Sequence, residues 1–467
     1  MNRIFGFFVV AFLLPVLFSC SDRNGQEPAG PAVLAMQNAE EVPVVTLTDI
    51  MPSSRLEVRV EAARITENVL NVSLRADISL VPDYNEANGT DYQALPTDAF
   101  ELTKPTVLLP RYNTVSSTAE ITVTGNDIPE NGTYLLPVVI DRIEGEEGAG
   151  VEEGKDVKYF LIERDFPEGV PVKVFTISSV PQYSQGDMHA LCLLSDDYIA
   201  VGNRWDNNFF KVNSSTGESQ LLINPVAGGF PYGITLSPDN KLYIAYKGGK
   251  FGMFDLAGTT PADPVIILQQ GTANAVDVLC DSEGNLYALC RGDGIWSDRT
   301  CGTVYYCSKD KMSDSEKEVF VQFEGEQILS LDFDLDGNLI VYAKSGFYRI
   351  PAEGGEPVHL FGKTGAADVD GPASDAVFMD VYDFAIDPEG NIWMTDYGAK
   401  KIKLVRIGES PDYSDAVVET IAGGGVRNST LTGPRCIDVS SDGTEIYFTD
   451  ASNHAIQKIT VTEEMSE

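Results

Sequence analysis

Six segments of the chain repeat one grammar: an apolar strand, a tight turn rich in Asp, Gly and Asn, then a second apolar strand. They start at His189, Tyr232, Val276, Leu329, Tyr382 and Arg435, and Val276–Tyr287 (VDVLCDSEGNLY) and Tyr382–Trp393 (YDFAIDPEGNIW) show the pattern most plainly. Aligned on the apolar residue opening the second strand (Tyr198, Leu242, Leu286, Leu339, Ile392 and Ile446), the copies are 44, 44, 53, 53 and 54 residues apart. That length holds one four-stranded sheet per copy, which predicts a six-bladed β-propeller over residues 171–463. Glycine in the turn reaches positive φ without a Cβ clash, and the flanking Asp and Asn bond the backbone locally.

A propeller brings the start of each innermost strand and the loop between its second and third strands to one face. The expected floor of that face is His189, Tyr232, Asp277, Ser330, Tyr382, Asp383 and Arg435. Its loops are expected to carry Arg204–Asn208, the insert Arg291–Arg299, Tyr397, and Asn453 with His454. Saccharide-binding surfaces pair a flat aromatic face, on which sugar C–H groups pack, with side chains that bond hydroxyls. Trp205, Asn207, Tyr232, Trp296, Tyr382, Tyr397 and Arg435 have that composition and are the candidate ligand-binding residues, whereas Trp393 lies inside a strand and reads as core.

The array resembles the NHL-repeat family. Asp370–Phe378 and Thr420–Gly425 are similar to that family's connectors, and Asp396-Tyr397 and Thr449–Ile456 to its second and third strands. The resemblance implies architecture rather than activity, because propellers host binders and enzymes alike.

Residues 42–165 show a different pattern, short strands with period-two alternation in Leu70–Ala76 and Ala119–Val123. This predicts an Ig-like β-sandwich, so the fold class expected for the whole chain is all-β. Tyr84–Pro96 followed by Tyr134–Ile140 resembles the N-terminal domain of Bacteroidota-type surface lipoproteins of glycan-utilisation systems. In that family the domain acts as a spacer, and the resemblance implies a glycan or a glycan-uptake protein as partner.

Thirty-three basic residues against 70 acidic ones give a net charge of −37, which excludes a nucleic-acid binder, since no basic face offsets such a field. Arg3, the apolar run Ile4–Phe18 and Ser19 before Cys20 read as a lipoprotein signal over residues 1–19, with Cys20 lipidated. The run is too short for a spanning helix of about 20 residues. A flexible tether over residues 20–41 and a lipid-anchored place in the outer membrane follow, at the cell surface or on its periplasmic side. Of the six other cysteines, Cys290 and Cys301 bracket a loop where a local disulfide is expected, and Cys192, Cys280 and Cys436 read as buried strand residues.

Catalytic signals are weak. Only three histidines occur, His189, His359 and His454, and His359 falls in an outer strand, so a three-His metal site is not expected. Asp332–Asn338 imitates the start of a calcium loop, but Ala343 stands where the bidentate Glu belongs. No cofactor is expected; the alternative, a lactonase-like hydrolase or lyase, would set a divalent cation on Asp277 and Asp383. A third alternative is a propeller that only binds protein.

Overall fold

A computed structural model describes residues 31–465 apart from 49–51, 167–170, 185, 225–228, 259–260, 270–273, 292–300, 409 and 428. Cys20 and Trp296 lie outside the described residues.

The N-terminal part is a β-sandwich. One sheet orders Val44–Leu47, Val157–Arg164, Gly132–Glu144, Leu70–Ala76 and Thr106–Leu109; the others are Ser53–Val58, Ala119–Thr124, Phe100–Thr103, and Gly150–Val151, Val33–Met36, Val60–Ala62. The alternation in Leu70–Ala76 sends Leu70, Val72 and Leu74 into a core shared with Ile121, Val123, Leu136 and Phe160. Leu34 and Met36 belong to that core, so the tether expected over 20–41 stops short of residue 32. Val33–Met36 is a strand because it has hydrogen-bonded partners on both edges, at Gly150–Val151 and Val60–Ala62. The two stretches that carried the family resemblance meet. After the helix Val81–Asn88, which Gly89 ends at φ 67°, Gln93 and Ala94 pair in parallel with Tyr134 and Leu135.

Six antiparallel sheets then form the propeller, and it is closed. The inner strands are Met188–Ser195, Pro231–Leu236, Asn274–Cys280, Ile328–Phe333, Val381–Ile386 and Pro434–Val439, here blades 1 to 6, and each touches the next around the ring, blade 6 against blade 1 included. Blade 6 takes its outermost strand, Pro171–Ser179, from the start of the array, paired with Ala455–Met465. Blade 5 has an extra outer strand, Gly371–Pro372, on Val417–Val418. In blade 1 the two-residue turn Asp196-Asp197 adds the pair Ser195↔Tyr198, so the counterpart of Leu242 is Ile199 and not Tyr198.

The turns hold by side chains. Asp281, Asp334 and Asp387 accept from the backbone N–H of Asn285, Asn338 and Asn391 at 2.8, 2.8 and 2.9 Å, and each Asn amide bonds back to its Asp. The calcium-loop imitation at Asp332–Asn338 is therefore a blade turn, with Asp334 also held by Arg349 Nε at 2.9 Å. Trp393 is core, its indole N–H donating to Asp387 at 3.1 Å. Cys290 is a buried free thiol, so the expected bridge to Cys301 does not form; Cys290 stands opposite Thr303 in the sheet, and burial pushes its pKa up to about 12.

The sandwich rests on blade 5 and the loop after it. Arg55 Nη1 donates to the carbonyl of Asp368 at 2.8 Å, Arg427 Nε meets Asp127 at 3.1 Å, and Lys401 Nζ lies 3.9 Å from Glu101. Among the described residues no helix is long and apolar enough to cross a membrane.

Candidate ligand-binding site

Every inner strand breaks register near its start: one residue is skipped between Met188 and Ala190, Pro231 and Gly233, Ala275 and Asp277, Ile328 and Ser330, and Val381 and Asp383, and two between Pro434 and Ile437. A bulge leaves a residue unpaired and re-aims its side chain. His189, Tyr232, Val276, Leu329, Tyr382 and Arg435 occupy these bulges, and all six line one cavity of about 250 Å³ at the mouth of the axial channel. Six separate stretches of chain thus converge on one site.

Of the residues one step past the bulge, Asp277 and Asp383 line the cavity floor as expected and have a second task. Asp277 and Asp383, with Asp332 and Asp438, staple neighbouring blades together. Each accepts the N–H of its own following residue, at 2.8–2.9 Å. Each also accepts an N–H from the next blade: Leu331 to Asp277 at 3.2 Å, Ile386 to Asp332 at 2.7 Å, Ile437 to Asp383 at 3.1 Å and Leu193 to Asp438 at 2.7 Å. Ser330 Oγ donates to Asp383 at 2.7 Å, so Ser330 too serves the staple. A Cβ on Gly233 would lie 2.6 Å from the Cα of Asp277, which is why blade 2 carries glycine there. Burial raises Asp332 to about 7 and Asp383 and Asp438 to about 6, and burial together with the Asp383 charge raises Asp277 well above the carboxylate range. A divalent cation on Asp277 and Asp383 would have to share these oxygens with the backbone donors that hold the blades together. Among the described residues no group of three or more His, Cys, Asp or Glu is arranged to hold a metal.

At the mouth, Tyr382 and Arg435 are brought together with Tyr397. The Arg435 guanidinium lies over both rings, 5.1 and 4.6 Å from their centroids. The Tyr382 hydroxyl is 2.9 Å from His189 Nδ1, and the ring of Tyr232 stands edge-on to His189 at 6.3 Å. His189 Nε2 lies 3.2 Å from Asp187, which Arg204 Nη1 and Arg435 Nε approach at 3.8 and 3.9 Å. Burial, helped by the two arginines, holds His189 below its usual pKa despite Asp187. Burial opposes ionisation of Asp187, but the His189 hydrogen bond and the arginine charges outweigh it and keep Asp187 below the usual range. The mouth therefore holds an imidazole disinclined to take up a proton, set between an aspartate and two arginines. His454 is used elsewhere, its Nδ1 2.6 Å from the Gly186 carbonyl, and His359 Nε2 is 3.2 Å from the Gly362 carbonyl in blade 4.

Trp205 does not line the cavity. It is 64% exposed on the rim, edge-on to Phe230 at 5.8 Å with Arg204 4.7 Å above its ring. Asn207 sits in that loop at φ 54°, its side-chain amide 3.1 and 2.9 Å from the carbonyls of Arg204 and Gly229, to which it donates once its amide is turned to face them with nitrogen.

Residues missed from sequence complete the lining: Asn274, Gln327, Lys344 and Asp380, with Val276 and Leu329 in the bulges. The signal was periodic. Arg204, Lys247, Arg291 and Lys344 each stand five residues after Ile199, Leu242, Leu286 and Leu339, a cation at one corner in four consecutive blades, with Tyr397 and Ala451 in the last two.

Residues 33–147 match a family model described as an N-terminal domain. No curated protein matches the chain. Two solved structures from Bacteroides thetaiotaomicron align over 93% of this chain and 99% of their own, each with a TM-score of 0.50: a protein of unknown function at 14% identity and an auxiliary nutrient binding protein at 12%. A gluconolactonase from Xanthomonas campestris aligns over 63% of this chain and 98% of its own at 11% identity, with a TM-score of 0.46. At these identities the likeness is one of fold.

Proposed function

We propose that the chain is a lipid-anchored surface protein that binds a saccharide nutrient at the propeller mouth. The carrying observation is the convergence of six bulged side chains on one cavity, beside a rim that offers Trp205, Tyr397 and several cations. Aromatic faces beside polar donors suit sugar rings, while the cavity, near the lower end of the roughly 300–1,000 Å³ usual for ligand pockets, suits one ring of a longer chain held by further contacts on the rim. In this reading Cys20 anchors the chain in the outer membrane, and the sandwich holds the propeller away from it as part of a glycan-uptake system. The nutrient-binding description of one full-length structural neighbour agrees with it.

Affinity electrophoresis in gels containing single polysaccharides tests this. Trp205→Ala and Tyr397→Ala should each weaken retention about fivefold, as losing one aromatic contact of about 1 kcal/mol implies. The thermal midpoint of Trp205→Ala should stay near that of the parent, since its ring is mostly exposed. Equal retention of the parent and both variants on every polysaccharide would remove the proposal.

A further inference from the structure

Although acidic residues outnumber basic ones 70 to 33, the mouth is lined by Arg204, Arg291, Lys344 and Arg435. The carboxylates nearby do little to offset them. Asp187 is shared between Arg204 and Arg435 at 3.8 and 3.9 Å while also bonded to His189, and Asp380 lies exposed on the rim. Asp277 and Asp383 reach the cavity floor but give their oxygens to backbone N–H groups, and their mutual proximity disfavours a full charge on both. Four cations converging on one cleft, beside carboxylates that are shared, exposed or bound to backbone donors, favour a ligand of negative charge.

A second, independent observation concerns hydrogen bonds. Gln327 is 2% exposed, lines the cavity, and leaves its Nε2 without a partner. Nε of Arg204 and of Arg435 are likewise buried and unpartnered. Among the described lining residues, every buried polar atom left open is thus an N–H donor, and none is an acceptor. Buried donors without acceptors are costly to leave unmade. A ligand that only accepts, and carries negative charge, answers both the donors and the cations. A neutral sugar hydroxyl answers the donors alone.

We infer that the propeller mouth is an anion subsite that seats the carboxylate or sulfate group of an acidic saccharide. The inference rests on the saccharide reading above and narrows it. The forked guanidiniums of Arg204 and Arg435 suit the planar or tetrahedral oxygens of such a group, with Gln327 and Lys344 completing the ring of donors.

The test is equilibrium titration of the full chain with trigalacturonate and its methyl ester, and with a sulfated galactan trisaccharide and its unsulfated counterpart. At least one acidic form should bind about tenfold more tightly than its neutral partner, the advantage shrinking between about 50 and about 500 mM NaCl. Lys344→Glu, at an exposed rim position, should lower affinity for the acidic form about tenfold without moving the thermal midpoint. Gln327→Glu, which swaps a donor for an acceptor, should act in the same direction. Equal binding of acidic and neutral forms, or full acidic binding by Lys344→Glu, overturns the anion subsite while leaving the saccharide reading intact. Free sulfate or acetate as potent as the saccharide overturns the assignment of the anion to a sugar. No binding of any saccharide overturns both.

Discussion

Asp383→Ala is expected to destabilise the propeller by about 3–5 kcal/mol, because it strands three donors at once in the channel wall. The N–H of Phe384 (2.9 Å), the N–H of Ile437 (3.1 Å) and the hydroxyl of Ser330 (2.7 Å) all end on this one carboxylate. Ile437 belongs to the next blade, so the substitution also cuts a strap between blades 5 and 6. At roughly 2–4 °C per kcal/mol for a unit of this size, the loss shows as a fall of about 10 °C in the calorimetric midpoint. Ser330→Ala, which removes one donor and leaves the other bonds in place, should cost about 1 kcal/mol. Chelation by EDTA should leave the parent midpoint unchanged; a fall matching that of Asp383→Ala would support the divalent-cation reading of Asp277 and Asp383 instead.

The second large effect is expected at Lys403, at the centre of the blade 5 ion cluster against which the sandwich rests. Its ammonium is fully buried, 2.6 Å from Asp368, in contact with Asp370, and 3.2 Å from Thr420 Oγ1. Burial works against the charge, but Asp370 and Asp368 outweigh it and keep the ammonium protonated. Asp368 gives its carbonyl to Arg55 of the sandwich, and Glu101 of the sandwich, raised by burial to about 7, faces the same cluster through Lys401. Gly424 makes that approach feasible, since a Cβ there would come within 2.8 Å of the Glu101 carboxylate. Lys403→Ala leaves the half-buried Asp370 without its cation and Asp368 with Lys401 alone, at 3.1 Å, a loss of about 3 kcal/mol. Calorimetry should then resolve separate sandwich and propeller transitions, with faster proteolysis between residues 166 and 171. A single transition at the parent midpoint would mean that the ion cluster does not couple them. Lys403→Met, which keeps most of the volume, should show the same splitting and separates lost charge from lost packing.

Much of the fold was legible in the sequence because each blade repeats the same local chemistry. Asp–Gly–Asn turns mark the inner hairpins of blades 3, 4 and 5, shorter or altered Asp turns mark the others, and the spacing between them counts the blades. What sequence could not resolve was a shift of one residue. In a strand that shift sends a side chain to the other face, and the bulge at the start of each inner strand creates it six times. Tyr382 and Arg435 fall in bulges and line the cavity, while Asp277, Ser330 and Asp383, one position further on, also bind blade to blade. The strand Val33–Met36 was hidden because its partners at residues 60–62 and 150–151 are remote in sequence. Asn207 reads as a ligand donor, and only the loop geometry shows how close its amide lies to the carbonyls of Arg204 and Gly229. Lys344 was missed because a lone lysine after a strand carries no signal until its counterparts in three other blades are aligned with it.

Hydrogen–deuterium exchange of the full chain, with and without a saccharide that it retains, tests the central claim most directly. Binding at the mouth should protect amides at the starts of the inner strands, around residues 187–190, 231–233, 327–330, 381–383 and 434–436, together with the corner at 203–205. Protection confined to the sandwich or to the outer strands of the blades, with these segments unchanged, would contradict it.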